Sequence, residues 1–203
     1  MILELITHAI MPMRTVFIIH GSHGNPNENW YPWLREKLER DGLRVIVPAF
    51  PIPTKEGSGH SLNAWLDTFQ EYVRFVDSDT IFVAHSRGCN FVLQVLPRIA
   101  SAIDSAYFVG PFVDYDYWRP DVYTTYDSFQ EKPYLWKLLR QRIRHTEVFQ
   151  STNDVIPVSE GQFIADKLNA EIHIIKNAGH FNTATYKRFK TFPFLLERIK
   201  RRL

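Results

Sequence analysis

Six short runs rich in β-branched and aromatic residues restrict this chain's fold more than any other feature. They are Thr15–His20, Leu43–Val47, Thr80–Ala84, Ser105–Val109, Glu147–Gln150 and Glu171–Ile175. A strand with one wet face alternates apolar and polar residues, whereas near-continuous apolar runs belong to strands covered on both faces, as in a parallel sheet between two helical layers. The intervening segments supply such layers. Trp30, Trp33, Leu34 and Leu38 recur at three- and four-residue spacing and stop at Gly42, a residue suited to the left-handed position past a helix end. Leu62, Trp65, Leu66, Phe69 and Val73 repeat the pattern behind Ser61, a good N-cap. Phe91, Val92, Leu93, Val95, Leu96 and Ile99 are apolar almost all round, which predicts a helix deep against the sheet. Ser159 and Gln162 offer a capping box ahead of Phe163, Ile164 and Leu168, and Pro193 opens a last helix carrying Leu195, Leu196 and Ile199. The expected architecture is one three-layer α/β domain over residues 14–203, with residues 1–13 a flexible extension in which Met11 and Met13 are alternative starts.

Charge and cysteine usage narrow the possible partners. Lys and Arg total 24 against 22 Asp and Glu, a formal charge of +2, which is far from the basic excess of a nucleic-acid footprint. The basic end Lys200, Arg201 and Arg202 reads as a complement to the last helix's dipole rather than as a nucleic-acid or membrane patch. No run approaches the ~20 consecutive apolar residues that span a bilayer. The first ten residues lack the basic start of a signal peptide, and the single cysteine, Cys89, cannot form an internal disulfide. A cytoplasmic setting is expected, with Cys89 an inert core thiol.

The third run leads through Ala84-His85-Ser86-Arg87-Gly88 directly into the apolar helix. A serine on so sharp a strand-to-helix turn leaves little room two positions before and after it, and Ala84 and Gly88 both comply. Its hydroxyl then stands at the carboxyl end of the sheet and at a helix N-terminus, where N–H groups face developing negative charge. A serine needs a base, and in this architecture an acid and then a histidine should follow later strands. Asp154 lies in the polar turn Ser151 to Pro157 after the fifth run, and His180 in the loop Asn177-Ala178-Gly179-His180-Phe181 after the sixth. Ser86, Asp154 and His180 are therefore the candidate catalytic set. The first run ends in His20-Gly21-Ser22-His23-Gly24, whose glycines allow a sharp turn. The amides of Ser22 and Arg87 are assigned to an oxyanion hole, and His20, Gly21 and Trp118 to substrate contact. Metal ligation by His20 and His23 is disfavoured because no carboxylate or cysteine falls at a matching spacing. His85 is expected to point away toward the sheet as a structural residue, and His8, His60, His145 and His173 carry no assigned function.

The combination of His20-Gly21, Trp30-Tyr31-Pro32-Trp33-Leu34 and Val47-Pro48-Ala49-Phe50-Pro51 with the serine turn, Asp154 and Gly179-His180 resembles the small serine hydrolases related to retinoblastoma-binding protein nine and the bacterial YdeN proteins. The resemblance spans about residues 14–202 and implies an α/β-hydrolase fold: six parallel strands in the order second, first, third, fourth, fifth, sixth, without the two antiparallel leading strands of larger relatives. It also implies hydrolysis of small carboxylic esters, thioesters or activated amides with no metal or organic cofactor. A protein-binding module on the same fold, or an acyltransferase using the same three residues, are the alternatives. Residues 112–144 form an unusually long connection carrying Phe112, Tyr115, Tyr117, Trp118, Tyr123, Tyr126, Phe129, Tyr134 and Trp136. Such a connection is expected to be a small aromatic cap, most of its rings packing and a few lining an apolar acyl pocket of limited depth.

Overall fold

The computed structural model describes residues 13–52, 60–114, 128–130 and 133–203. Six strands, β1 (Thr15–Ile19), β2 (Arg44–Ile46), β3 (Ile81–His85), β4 (Ile103–Val109), β5 (Ile143–Ser151) and β6 (Glu171–Ile175), form one sheet ordered β2-β1-β3-β4-β5-β6. Every ladder is parallel. Helices α1 (Tyr31–Arg40), α2 (Leu62–Phe69), α3 (Arg87–Val95), α4 (Trp136–Arg142), α5 (Val158–Leu168) and α6 (Pro193–Lys200) connect and cover it. This is the α/β-hydrolase arrangement expected, with the sheet order reversing direction beside β1 and β3, where ligands bind in open α/β sheets.

Because side chains alternate across a strand, each central strand feeds two cores. Phe17, Ile19, Phe82, Ala84, Phe108 and Val148 pack toward α2, α3, α4 and α5. Val16, Ile18, Ile81, Val83, Val109 and Phe149 pack toward α1 and α6. All nine residues of α3 are buried against the sheet centre, Arg87, Asn90 and Gln94 included, so the helix expected to be apolar almost all round also buries three polar side chains.

Three local expectations need correction. The strand expected at Glu147 begins at Ile143, because Ile103 pairs with Ile143 and Ser105 with His145; ladder pairing overrides the polar look of Arg144 and His145. β6 was expected to be buried on both faces, yet as an edge strand it leaves Ile174 52% exposed. The capping box is absent, since α5 starts at Val158 behind Pro157 with no side-chain cap. Ser61, by contrast, does cap α2, accepting from the Ala64 amide at 3.2 Å. The basic end of α6 meets acids on neighbouring elements, Lys200 with Asp41 and Arg202 with Asp104.

Candidate active site

The site is assembled at the carboxyl ends of β1, β3, β4, β5 and β6. Ser86 sits between β3 and α3 at φ 54° and ψ −124°, a conformation an L-residue adopts only when its surroundings impose it. Those surroundings are visible: the Ser86 amide donates to the Val109 carbonyl at 2.9 Å, and the Ser86 carbonyl accepts from the Cys89 amide at 2.9 Å. The need for a small residue two positions on is steric, because a Cβ on Gly88 would lie 2.6 Å from the Ile19 carbonyl oxygen and 2.7 Å from that of His20. Cys89 is fully buried with its thiol on the Ala84 carbonyl at 3.3 Å, and burial pushes the thiol well above its ordinary range, as expected of a core residue.

The turn after β5 and the loop after β6 bring the acid and the histidine together. His180 Nδ1 lies 2.8 Å from Asp154 Oδ2 and 3.0 Å from Oδ1, with the Asp154 side chain wholly buried and that of His180 19% exposed. A carboxylate can only accept here, so Nδ1 carries a proton, and in the neutral ring the lone pair is on Nε2. Asp154 Oδ1 also accepts from the Ile156 amide at 3.1 Å, which holds the carboxylate in place. The loop is tied to the turn by two further bonds, Ala178 N–H to Ser151 Oγ at 2.9 Å and Gly179 N–H to Asn153 Oδ1 at 2.8 Å. Gly110, at the end of β4, passes directly beneath this pair at φ 57°; a Cβ there would lie 3.2 Å from His180 Cε1, 3.3 Å from Nδ1 and 3.5 Å from Asp154 Oδ2.

Ser86 and His180 open into one cleft of about 520 Å³, which the described residues line with Gly21, Ser22, His23, Arg87, Phe112 and Ile156, among others. Ser22 and Arg87, the residues assigned to the oxyanion hole, both line this cleft, and Gly21 approaches the serine so closely that an added Cβ would lie 3.1 Å from Ser86 Cβ. His20 does not reach the cleft. It is fully buried, its Nδ1 donating to the Gly21 carbonyl at 2.7 Å and its Nε2 accepting from the Phe50 amide at 3.1 Å, so it braces the loop from below rather than touching substrate. Trp118 lies outside the described residues, as do Tyr115, Tyr117, Tyr123, Tyr126 and His8. Of the described cap rings, Phe112 lines the cleft, whereas Phe129 and Tyr134 are core residues joined by a hydrogen bond from the Tyr134 hydroxyl to the Phe129 carbonyl.

Sequence reasoning missed several residues. His85 was expected to point away toward the sheet, but although buried it lines the cleft, its ring 4.9 Å from that of His180 and its Nε2 2.8 Å from the His180 carbonyl oxygen. Burial, and then the neighbouring His180, push its pKa down to about 3, so its ring is neutral. Gly110 was legible only as a strand-end Gly-Pro pair, with no local sign of what lies above it. His145 and His173, given no role, converge on the buried Glu147 at 2.9 and 2.7 Å, where Arg198 adds two more hydrogen bonds. Glu147, Glu171 and His173 offer three ligand-type atoms within 4.8 Å, but Arg198 already bonds both carboxylates, and the group does not line the cleft.

Comparison with known proteins decides the family. A family model described as serine hydrolase matches residues 16–199. The chain belongs to the serine hydrolase family. Among relatives of this hydrolase, the YdeN protein of Bacillus subtilis strain 168 is 26% identical over 171 residues, 83% of this chain and 86% of its own. Serine hydrolase RBBP9 of Rattus norvegicus is 25% identical over 182 residues, 86% of this chain and 90% of its own. The crystal structure of the B. subtilis ydeN product superposes with a TM-score of 0.81 at 25% identity, covering 93% of this hydrolase and 97% of that chain. No helix among the described residues is long and apolar enough to cross a membrane.

Proposed function

We propose that this serine hydrolase cleaves small carboxylic esters, thioesters or activated amides through an acyl-enzyme on Ser86. The observation that carries the reading is the 2.8 Å contact of His180 Nδ1 with a buried Asp154, which leaves the unprotonated Nε2 for a cleft shared with Ser86. His180 Nε2 removes the Ser86 hydroxyl proton as Oγ attacks the substrate carbonyl, and the oxyanion rests on the amides of Ser22 and Arg87. Each such donor contributes roughly 3–4 kcal/mol of transition-state stabilisation. Collapse expels the leaving group, which takes the proton from His180. The imidazole then activates water to release the acid. Asp154 holds the productive tautomer and stabilises the imidazolium, and no metal or organic cofactor takes part.

Cleft size supports a small substrate, since about 520 Å³ lies in the lower part of the range of small-molecule sites. Phe112, Val155 and Ile156 supply an apolar wall for a short, medium or aromatic acyl group. A cytoplasmic location is part of the proposal, supported by a lone, buried cysteine that needs no oxidising compartment. The test is labelling with a fluorophosphonate probe, with and without Ser86→Ala. Labelling of the parent protein that vanishes in the variant is expected; labelling that persists overturns the assignment of the nucleophile.

A further inference from the structure

The loop that carries His180 has an unusual backbone. Asn177, Gly179 and Phe181 all lie in the left-handed region, at φ 53°, 55° and 52°, so His180 is flanked on both sides by residues in that region. Asn and Gly take this region readily, but for Phe181 such a conformation persists only where neighbouring structure holds it. Upstream of His180 the holding groups are Ser151 and Asn153, in the same turn as Asp154. Downstream they come from another part of the chain. The His180 carbonyl oxygen is 2.8 Å from His85 Nε2, whose Nδ1 is 2.7 Å from the Tyr31 hydroxyl. The Phe181 carbonyl accepts from Trp30 Nε1 at 3.0 Å. Asn29 Oδ1 accepts from both the amide and the hydroxyl of Thr183, at 2.9 and 3.1 Å.

Three consecutive residues leading into α1 therefore hold three successive points of the loop. The chain through His85 has a fixed direction, because a carbonyl oxygen can only accept: Nε2 carries the proton, and Nδ1 must accept from the Tyr31 hydroxyl. Trp30 and Tyr31 are fully buried, and Trp30 stacks edge-on against Tyr31 and His85, so none of these donors is free to swing to water. This gives a purpose to the Trp30-Tyr31-Pro32-Trp33-Leu34 segment, of which Tyr31 also lines the cleft. Pro32 starts the helix, Leu34 fills the core, and the first two aromatics reach across the sheet end.

We infer that Asn29, Trp30 and Tyr31, the last acting through His85, are positioning residues that clamp the His180 loop and so fix the imidazole against Ser86 and Asp154. The inference rests on the reading of His180 as general base. Without the Tyr31 hydroxyl, His85 Nδ1 is left buried without its donor, and the other tautomer would bury an N–H without that acceptor and turn a lone pair toward the His180 carbonyl. Without the Trp30 N–H or the Asn29 amide, the strained backbone loses a tether and the imidazole drifts. A displacement on the order of 1 Å of a reacting group costs about a hundredfold in rate.

The experiment uses Tyr31→Phe, Trp30→Phe and Asn29→Gly, the last chosen because glycine keeps the left-handed backbone at φ 53°. Each is compared with Leu34→Ala, a buried position on α1 that shares the core beneath the loop but offers it no hydrogen bond and does not line the cleft, and so serves as a control for general weakening. Two readouts are taken: the His180 ring titration with amide exchange over residues 178–183 by NMR, and kcat and KM on a p-nitrophenyl ester. The three variants should each shift the His180 titration and speed loop exchange, and lower kcat roughly 10- to 100-fold with KM little changed. Leu34→Ala should lower the melting temperature at least as far, yet leave the titration in place. An unmoved His180 titration and unchanged loop exchange in all three variants would overturn the clamp, as would an equal shift in Leu34→Ala. Because the NMR readout needs no turnover, it judges the clamp separately from the probe labelling that judges Ser86.

Discussion

Gly110→Ala places one methyl group directly against the His180 ring, and its effect can be separated into two parts. The first is backbone strain, since alanine at φ 57° costs roughly 1–2 kcal/mol. For a domain of this size that lowers the melting temperature by about 2–8 °C. The second is crowding. The new Cβ would stand 3.2 Å from His180 Cε1, whereas comfortable carbon contacts begin at about 3.5–4.0 Å, so the ring must withdraw by roughly 0.3–0.8 Å. If ~1 Å is worth about a hundredfold, the drop in kcat/KM is roughly 4- to 40-fold. Gly42→Ala isolates the first part, because Gly42 has φ 84° but nothing within 4 Å of an added Cβ. Thermal melts and ester kinetics on both variants make the comparison. Both should lose similar stability, and only Gly110→Ala should lose rate. Wild-type kcat/KM in Gly110→Ala would refute the reasoning, because the pair above it would then be either mobile or unused.

Ser86→Ala should lower ester turnover by about four orders of magnitude or more with folding nearly intact, and Asp154→Asn by roughly four orders through the wrong histidine tautomer; near wild-type kcat in the latter would move the acid's role elsewhere. Burial alone would raise the Glu147 carboxyl, but hydrogen bonds from Arg198, His145 and His173 outweigh it and hold it below its ordinary 4.5. Its contribution to stability is therefore complete above about pH 4.5 and is lost as pH falls through the lowered folded value. Glu147→Gln should cost about 3–5 kcal/mol near neutrality and flatten this acid limb in urea melts run from pH 3 to 7. Cys89 should react slowly with thiol reagents in the native protein and quickly after unfolding; rapid native alkylation with loss of activity would contradict its burial. In a p-nitrophenyl ester series each methylene that fits should add up to about 0.8 kcal/mol to kcat/KM until the apolar wall is covered, so a profile still rising at long chains would show the pocket is not bounded.

What the sequence by itself determined are the features that each segment reports about its own surroundings. A strand buried on both faces must be largely apolar, so β1, β3 and the Ala106–Val109 end of β4 were legible, and the apolar run Phe91 to Leu93 with Val95 announced a helix wedged under the sheet centre. The tight turn around Ser86 demands small neighbours, and Ala84 and Gly88 declare it. The order of Ser86, Asp154 and His180 along the chain followed from successive strand ends, and the structure puts Asp154 and His180 in contact. What only the tertiary structure decided are the relations between residues far apart in sequence. His20 and His85 look alike as buried strand-end histidines, yet one braces a loop against Phe50 and the other holds the His180 backbone. His145 and His173 became partners because β5 pairs with β6 and α6 lays Arg198 over them. Gly110 matters because of a ring that arrives 70 residues later in the chain. Periodicity records how much water a segment meets; it carries no record of which side chain will stand opposite, since that depends on sheet register and on the direction in which each strand end aims its residues.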